Sequence, residues 1–278
     1  MPDSWDPEFS ERSLLFEPLR LAAKALRASS WPGTEDLNRV LASMAEPILA
    51  ASGKPLRFVE QASRPQRPED RFEPRIFLRG EVQFRARAWH DLFNALVWLT
   101  FPAAKAALNR RHYTEGERQR DLGAANRGPV QDALTLFDES GIIVAVSNPE
   151  LAALLADFQW QELFWRRRAE VASAMRFCIF GHALYEKALA PFSGVTGRAA
   201  IVDVDRDFFG LPDRERLSLL DRKLAARIND AACFARPREL PPLPILGIPG
   251  WDENNARQDY YDDTRYFRPA PAMRRKPA

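Results

Sequence analysis

The sequence predicts an α+β fold: a mainly helical core, a small antiparallel sheet built on a hairpin at 132–146, and an extended C-terminal arm. Three observations predict it. Helical periodicity recurs through most of the chain up to Asp230. Strand-like runs are short, few, and not in strict alternation with helices, which disfavours a doubly wound sheet. From Arg236 onward, Pro237, Pro241, Pro242, Pro244, Pro249 and Pro269 are mixed with Trp251, Tyr260, Tyr261, Tyr266 and Phe267. Such a segment cannot be regular, yet it is too aromatic to be free. One α+β domain is expected over 1–240, with the arm at 241–278 packed on it and its tip, 273–278, disordered.

The elements follow in order. Residues 13–28 place Leu14, Leu15, Leu19, Ala22, Ala23 and Leu26 at helical spacing, with Pro18 near the first turn or breaking it. Thr34 is the expected cap of a second helix, Glu35 and Asp36 favour its dipole, and Pro47 kinks or ends it. Residues 55–59 read as a strand, 63–74 as a proline-rich exposed loop, and 75–85, around Gly80, as a second strand or hairpin. Residues 89–101, WHDLFNALVWLTF, are apolar around most of a helical circumference, so this helix is expected to be buried. Its polar members, His90, Asp91 and Asn94, must then find partners or face a cavity.

Pro102 is placed to open a helix running to 111, followed by a polar loop over 113–129. DALTLFD at 132–138 and IIVAV at 142–146 read as the two strands of the hairpin, turned at 139–141. Asn148, Pro149 and Glu150 form a helix start. Helical pattern covers 151–158 and 160–168, and a further helix is expected over 171–189 with Gly181 inside it. Residues 198–203 read as a strand. Residues 212–230 read as an amphipathic helix with Leu217, Leu220, Leu224 and Ile228 on one side.

Composition removes several function classes. The net charge of +2 is too small for a long-range polyanion magnet, although the chain is arginine-rich, with 34 Arg against 6 Lys. The N-terminal residues show no secretory signal, and no stretch reaches the length of a membrane span. Cys178 and Cys233 read as free thiols of a reducing compartment, which points to the cytoplasm. No NAD or ATP motif is present: GxGxxG, a Walker loop and GxSxG are all missing.

Four stretches carry a resemblance: WHDLFNALVWLTFPAAKAALN at 89–109, RGPVQDALTLFDESG at 127–141, FGHALYEK at 180–187 and PLPILGIPGW at 242–251. They resemble the bacterial family catalogued as domain of unknown function 3025. The resemblance implies one family domain from roughly residue 20 to 270. It implies no activity and transfers no catalytic residue.

The candidate site is therefore read from the residues. His90, Asn94, Asp132 and His182 are the catalytic candidates. His90 serves as general base or ligand on the floor of a pocket, and Asp132 orients it. His182 and Glu186, four apart on a helix, form a candidate metal-binding pair that needs a third ligand. Asp138 and Glu139 fall where a turn wants polar residues. Arg110, Arg111 and Arg127 are candidates for a phosphate-binding surface, against the plainer reading of cations at helix C-termini. The favoured function is an uncharacterised enzyme, hydrolytic or metal-assisted, with a His/Asp pocket and a divalent metal as its candidate cofactor. The alternatives are a protein-interaction or scaffold module using the C-terminal arm, and nucleic-acid or phosphate binding through the arginine clusters.

Overall fold

The computed structural model describes residues 4–26, 29–61, 67–123 and 126–270. Its fold is α+β with a helical core, as the sequence predicts. Pro18 lies in a 3-10 segment, Leu14–Leu19, and regular helix begins only after it, at α1 (Arg20–Leu26). In α2 (Thr34–Ala42) the cap is Gly33 rather than Thr34, and the carboxylate of Asp36 accepts the Gly33 N–H at 2.9 Å. That helix stops ahead of Pro47.

The region 57–84 corrects the expected hairpin. Residues 75–79 belong to a helix, α3 (Phe72–Arg79), which ends at Gly80 in the left-handed conformation (φ 71°). The flanking strands β1 (Arg57–Glu60) and β2 (Glu81–Phe84) pair in parallel, as a helical crossover allows and a tight turn does not. Phe72–Arg79 also shortens the loop expected over 63–74, of which residues 63–66 lie outside the described residues.

Helix α4 (Trp89–Thr100) is buried nearly all round. Residues 4–26 pack against it through aromatic rings, with Trp5 stacked on Trp89 at 5.4 Å and Phe16 on Phe93 at 5.9 Å. Helix α5 (Pro102–Asp121) opens on its proline but runs ten residues beyond Arg111, so most of the expected loop over 113–129 is helix. A proline-opened helix follows, α6 (Pro129–Ser140). The hairpin at 132–146 does not exist. Residues 132–138 are helical, and only β3 (Gly141–Val146) is a strand.

After α7 (Pro149–Ala156), capped by Asn148, a π-helical turn (Glu162–Arg166) leads into α8 (Arg168–Ala174). The single helix expected over 171–189 is broken by a strand. β4 (Met175–Ile179) is followed by α9 (His182–Ala188), with Gly181 at the junction. β5 (Thr196–Asp203), α10 (Asp213–Asn229) and the short β6 (Pro242–Pro244) complete the elements. The larger sheet is mixed, in the order β4-β3-β5-β6. β3 is antiparallel to β4 and parallel to β5, and β6 is antiparallel to β5. Every residue of β3 is buried, as befits a central strand covered on both faces. Beyond β6, Ile245, Leu246, Tyr261, Tyr266 and Phe267 are buried in the same core, and the Tyr266 hydroxyl donates to the Val195 carbonyl at 2.8 Å. The expected disordered tip at 273–278 lies outside the described residues.

The start of α5 is held by a charged cap from another helix. Asp221 on α10 accepts the N–H groups of Ala103 (3.0 Å) and Ala104 (2.8 Å). Burial outweighs these bonds and pushes its carboxyl up to about 6. A folded-state value above the ordinary 3.8 makes the ionised cap a cost at neutral pH. That cost is relieved as the pH falls from about 6.5 to 4, by about 2 kcal/mol. Asp221→Asn should lack this gain. Urea denaturation of both proteins at pH 6.5 and pH 4 checks it, and parallel changes in the two would refute the assignment.

Candidate functional site

The sheet brings the site together. Because β3 pairs antiparallel with β4, Ile142 opposite Ile179, the end of α6 and the start of α9 lie side by side. The backbone N–H groups of Phe180 and Gly181 both donate to the Gly141 carbonyl, at 2.9 Å each. A Cβ on Gly181 would stand 2.5 Å from the Glu139 carbonyl oxygen, the Gly141 nitrogen and the Ser140 Cα, so only glycine allows this approach. The last turn of α6 thus presents Asp138 and Glu139 to His182, the first residue of α9. Helix α4 packs on α9, with Phe93 stacked on Tyr185 at 5.6 Å, and adds His90 from its first turn.

His90 and His182 meet edge to face, their rings 4.5 Å apart and their Nε2 atoms 3.1 Å apart. His90 Nδ1 faces Glu186 Oε2 at 3.1 Å. His182 Nδ1 faces Asp138 Oδ2 at 3.7 Å and has no hydrogen bond of normal length. With the proton on Nδ1 of each ring, the two Nε2 atoms are acceptors 3.1 Å apart, a clash that a cation between them would resolve. Glu139 Oε1 lies 3.5 Å from His182 Nε2. One donor atom from each of His90, His182 and Glu139 falls within 4.8 Å of the others. Ligands on a tetrahedral zinc ion, with bonds near 2.0–2.1 Å, are separated by about 3.3 Å, so the spacing suits such an ion.

Electrostatics fits the same use. Burial pulls the His182 imidazole down to about 4, so at neutral pH it is uncharged and its lone pair is available. Burial pushes the Glu139 carboxyl up. Asp138 is also buried, but the Lys105 ammonium overcomes that and holds its carboxyl below the ordinary value. Lys105 itself is almost fully buried. Its Nζ donates to Asp138 Oδ1 (2.6 Å) and to Asn94 Oδ1 (2.9 Å), and stands over the Trp98 ring. His90, His182, Glu139, Asp138 and Asn94 all border one cavity of about 770 Å³.

The structure therefore joins His90, Asn94 and His182 of the sequence candidates. Asp132 does not join them: it is exposed on the first turn of α6 and does not border the cavity, because α6 is a helix and not a strand. Glu186 supports His90 rather than pairing with His182. The phosphate candidates separate too. Arg110 donates to Asn229, and Arg111 to the carbonyls of Ile228, Asp230 and Cys233 at the end of α10, whereas Arg127 borders the cavity. Lys105, Asp138 and Glu139 were not among the sequence candidates. Pro129, in the helix-opening position that Pro102 and Pro149 also occupy, was the signal that could have placed Asp138 and Glu139 on a helix end.

Residues 56–271 match the family described as protein of unknown function DUF3025, and the chain belongs to that family. The matched span includes every residue of the His–carboxylate cluster and excludes the N-terminal aromatic segment. No curated protein and no solved structure matches the chain. Among the described residues, no helix is long and apolar enough to cross a membrane.

Proposed function

We propose that this chain is a cytoplasmic bacterial enzyme that hydrolyses its substrate with one divalent metal ion held by His90, His182 and Glu139. The observation that carries the reading is the convergence of two imidazole Nε2 atoms at 3.1 Å, with a carboxylate 3.1 Å from Nδ1 of His90 and another 3.7 Å from Nδ1 of His182. Paired histidines with such backing are the usual dress of a metal site. When bound, the ion would polarise the scissile group and lower the pKa of its water. Glu186 fixes the tautomer of His90. Asp138 turns His182 towards the ion, and Lys105 keeps Asp138 ionised. The cavity beside the donors leaves room for water and substrate at the remaining coordination positions. The free thiols Cys178 and Cys233 agree with a reducing compartment.

The alternative readings have less support. Arg166, Arg167 and Arg168 are spent on Glu162, on Glu150 and Glu170, and on Asn255, which leaves little of a nucleic-acid surface. The aromatic residues of the C-terminal segment are largely buried in their own core, which weakens a partner-docking arm. Zinc titration of metal-free protein against a chromophoric chelator tests the proposal. One equivalent should bind. Glu186→Gln should weaken it by about 10- to 100-fold, the range for groups that only back a ligand, and Glu139→Gln by more. Wild-type protein that takes up no divalent ion overturns the reading.

A further inference from the structure

We infer that the substrate of this cavity is a small molecule carrying an anionic group, phosphate or carboxylate, and that Arg71 and Arg127 receive it. The inference rests on the reading of the cavity as the active site. Four arginines border the cavity: Arg71, Arg85, Arg120 and Arg127. Two are neutralised. Arg85 is clasped by both carboxylate oxygens of Asp91, at 2.9 and 2.7 Å, and Arg120 pairs with Glu117 at 2.8 Å. Arg71 and Arg127 have no ion pair and no side-chain hydrogen bond among the described residues. Of the acids on the same cavity, Asp91 and Glu117 are paired by those arginines and Asp138 by Lys105; Glu73 accepts the Asn109 amide at 2.7 Å, and Glu139 faces His182 in the donor cluster. Two guanidinium groups thus border the donor cluster's own cavity with no ion-pair partner among the described residues.

Their positions strengthen the case. Arg71 immediately precedes α3 and Arg127 lies just before α6, and residues from the first turns of both helices border the cavity. Each helix therefore brings the positive end of its dipole close to the charge it presents. A guanidinium offers a planar fork that matches phosphate and carboxylate alike, which is why one ligand chemistry covers both sources. The volume, about 770 Å³, is that of a small-molecule site. Apart from Phe72, Pro74, Tyr113 and Gly116, the residues that border it carry polar or charged side chains.

The test is calorimetric titration of zinc-loaded and metal-free protein with inorganic phosphate and, separately, with benzoate. Wild-type protein should bind at least one probe, and the tighter one names the source of the anion. In Arg71→Gln/Arg127→Gln, binding should fall by about tenfold or more, with metal content and melting temperature unchanged. Both replaced side chains are exposed, so folding should survive. If the double variant binds both probes as wild type does, or if wild type binds neither, the anion inference is overturned while the metal reading stands. If the protein takes up no metal yet binds a probe through these arginines, the metal reading fails and the anion assignment survives.

Discussion

Replacing Lys105 with methionine should cost about 3–5 kcal/mol of stability, because it leaves a buried carboxyl group without its partner. Asp138 keeps its carboxyl ionised chiefly through the ammonium 2.6 Å away, against a burial that favours the protonated form. Methionine fills similar space beside Trp98 but supplies neither charge nor donor, so Asn94 loses its partner too. Adding Asp138→Asn should recover most of the loss, since a neutral amide tolerates that burial far better than a carboxylate. Metal binding should separate from stability. Both the single and the double variant deprive His182 of its ionised carboxylate, so both should bind zinc about 10- to 100-fold more weakly than wild type. Urea denaturation and chelator competition read the two quantities. A single variant within about 1 kcal/mol of wild type would show that the Lys105–Asp138 pair is dispensable.

Gly181→Ala should damage the site without touching any of its chemical groups. The new methyl group would stand 2.5 Å from three backbone atoms at the end of α6, and backbone cannot swing aside as a flexible side chain can. The backbone angle at Gly181 suits alanine (φ −64°), so the effect isolates crowding from conformational strain. Overpacking of this kind costs about 1–3 kcal/mol, with the upper end expected here. The strain is relieved by moving α9 away from α6, which pulls His182 from Glu139. Zinc affinity should therefore fall even under conditions where the variant is fully folded. Alanine at Leu189, the half-buried cap residue after α9, serves as control and should leave zinc binding intact. Unchanged melting and unchanged zinc affinity in Gly181→Ala would refute the account of how the site is assembled.

What could be read from the sequence, and what could not, divides along a physical line. The burial of α4 is legible because its apolar residues surround the helix, and that alone marks His90 and Asn94 as polar groups in need of partners. The starts of α5 and α7 are legible because proline at a first helical position is a local signal. Residues 132–138 mislead because ALTLF is a short, mostly apolar run bracketed by Asp132 and Asp138, as a strand would be, although Val130, Leu134 and Phe137 also repeat as in a helix. The strand reading sends Asp138 and Glu139 to a turn and makes Asp132 look like the acid of the site. β4 is hidden inside a longer helical pattern, with Gly181 as the one break. That His90 meets His182, 92 residues away, depends on strand pairing and helix packing that leave no local trace. Lys105 looks like an ordinary solvated lysine in an alanine-rich helix, and only its neighbours bury it.

The short strand β6 has a consequence for how molecules of this protein meet one another. Ala199 donates to the Pro241 carbonyl, and Ile245 donates to the Val195 carbonyl, so the N–H groups at 243 and 245 are on the side facing β5. By the two-residue alternation of a strand, positions 242 and 244 turn outward, and both are proline. The outer rim of the sheet therefore has no donors at those two places, and an incoming strand from another copy finds no ladder to extend. A chain cut short before Pro241 would lose that seal and bare the first half of β5, residues 196–199. Truncated copies would then be expected to pair edge to edge there.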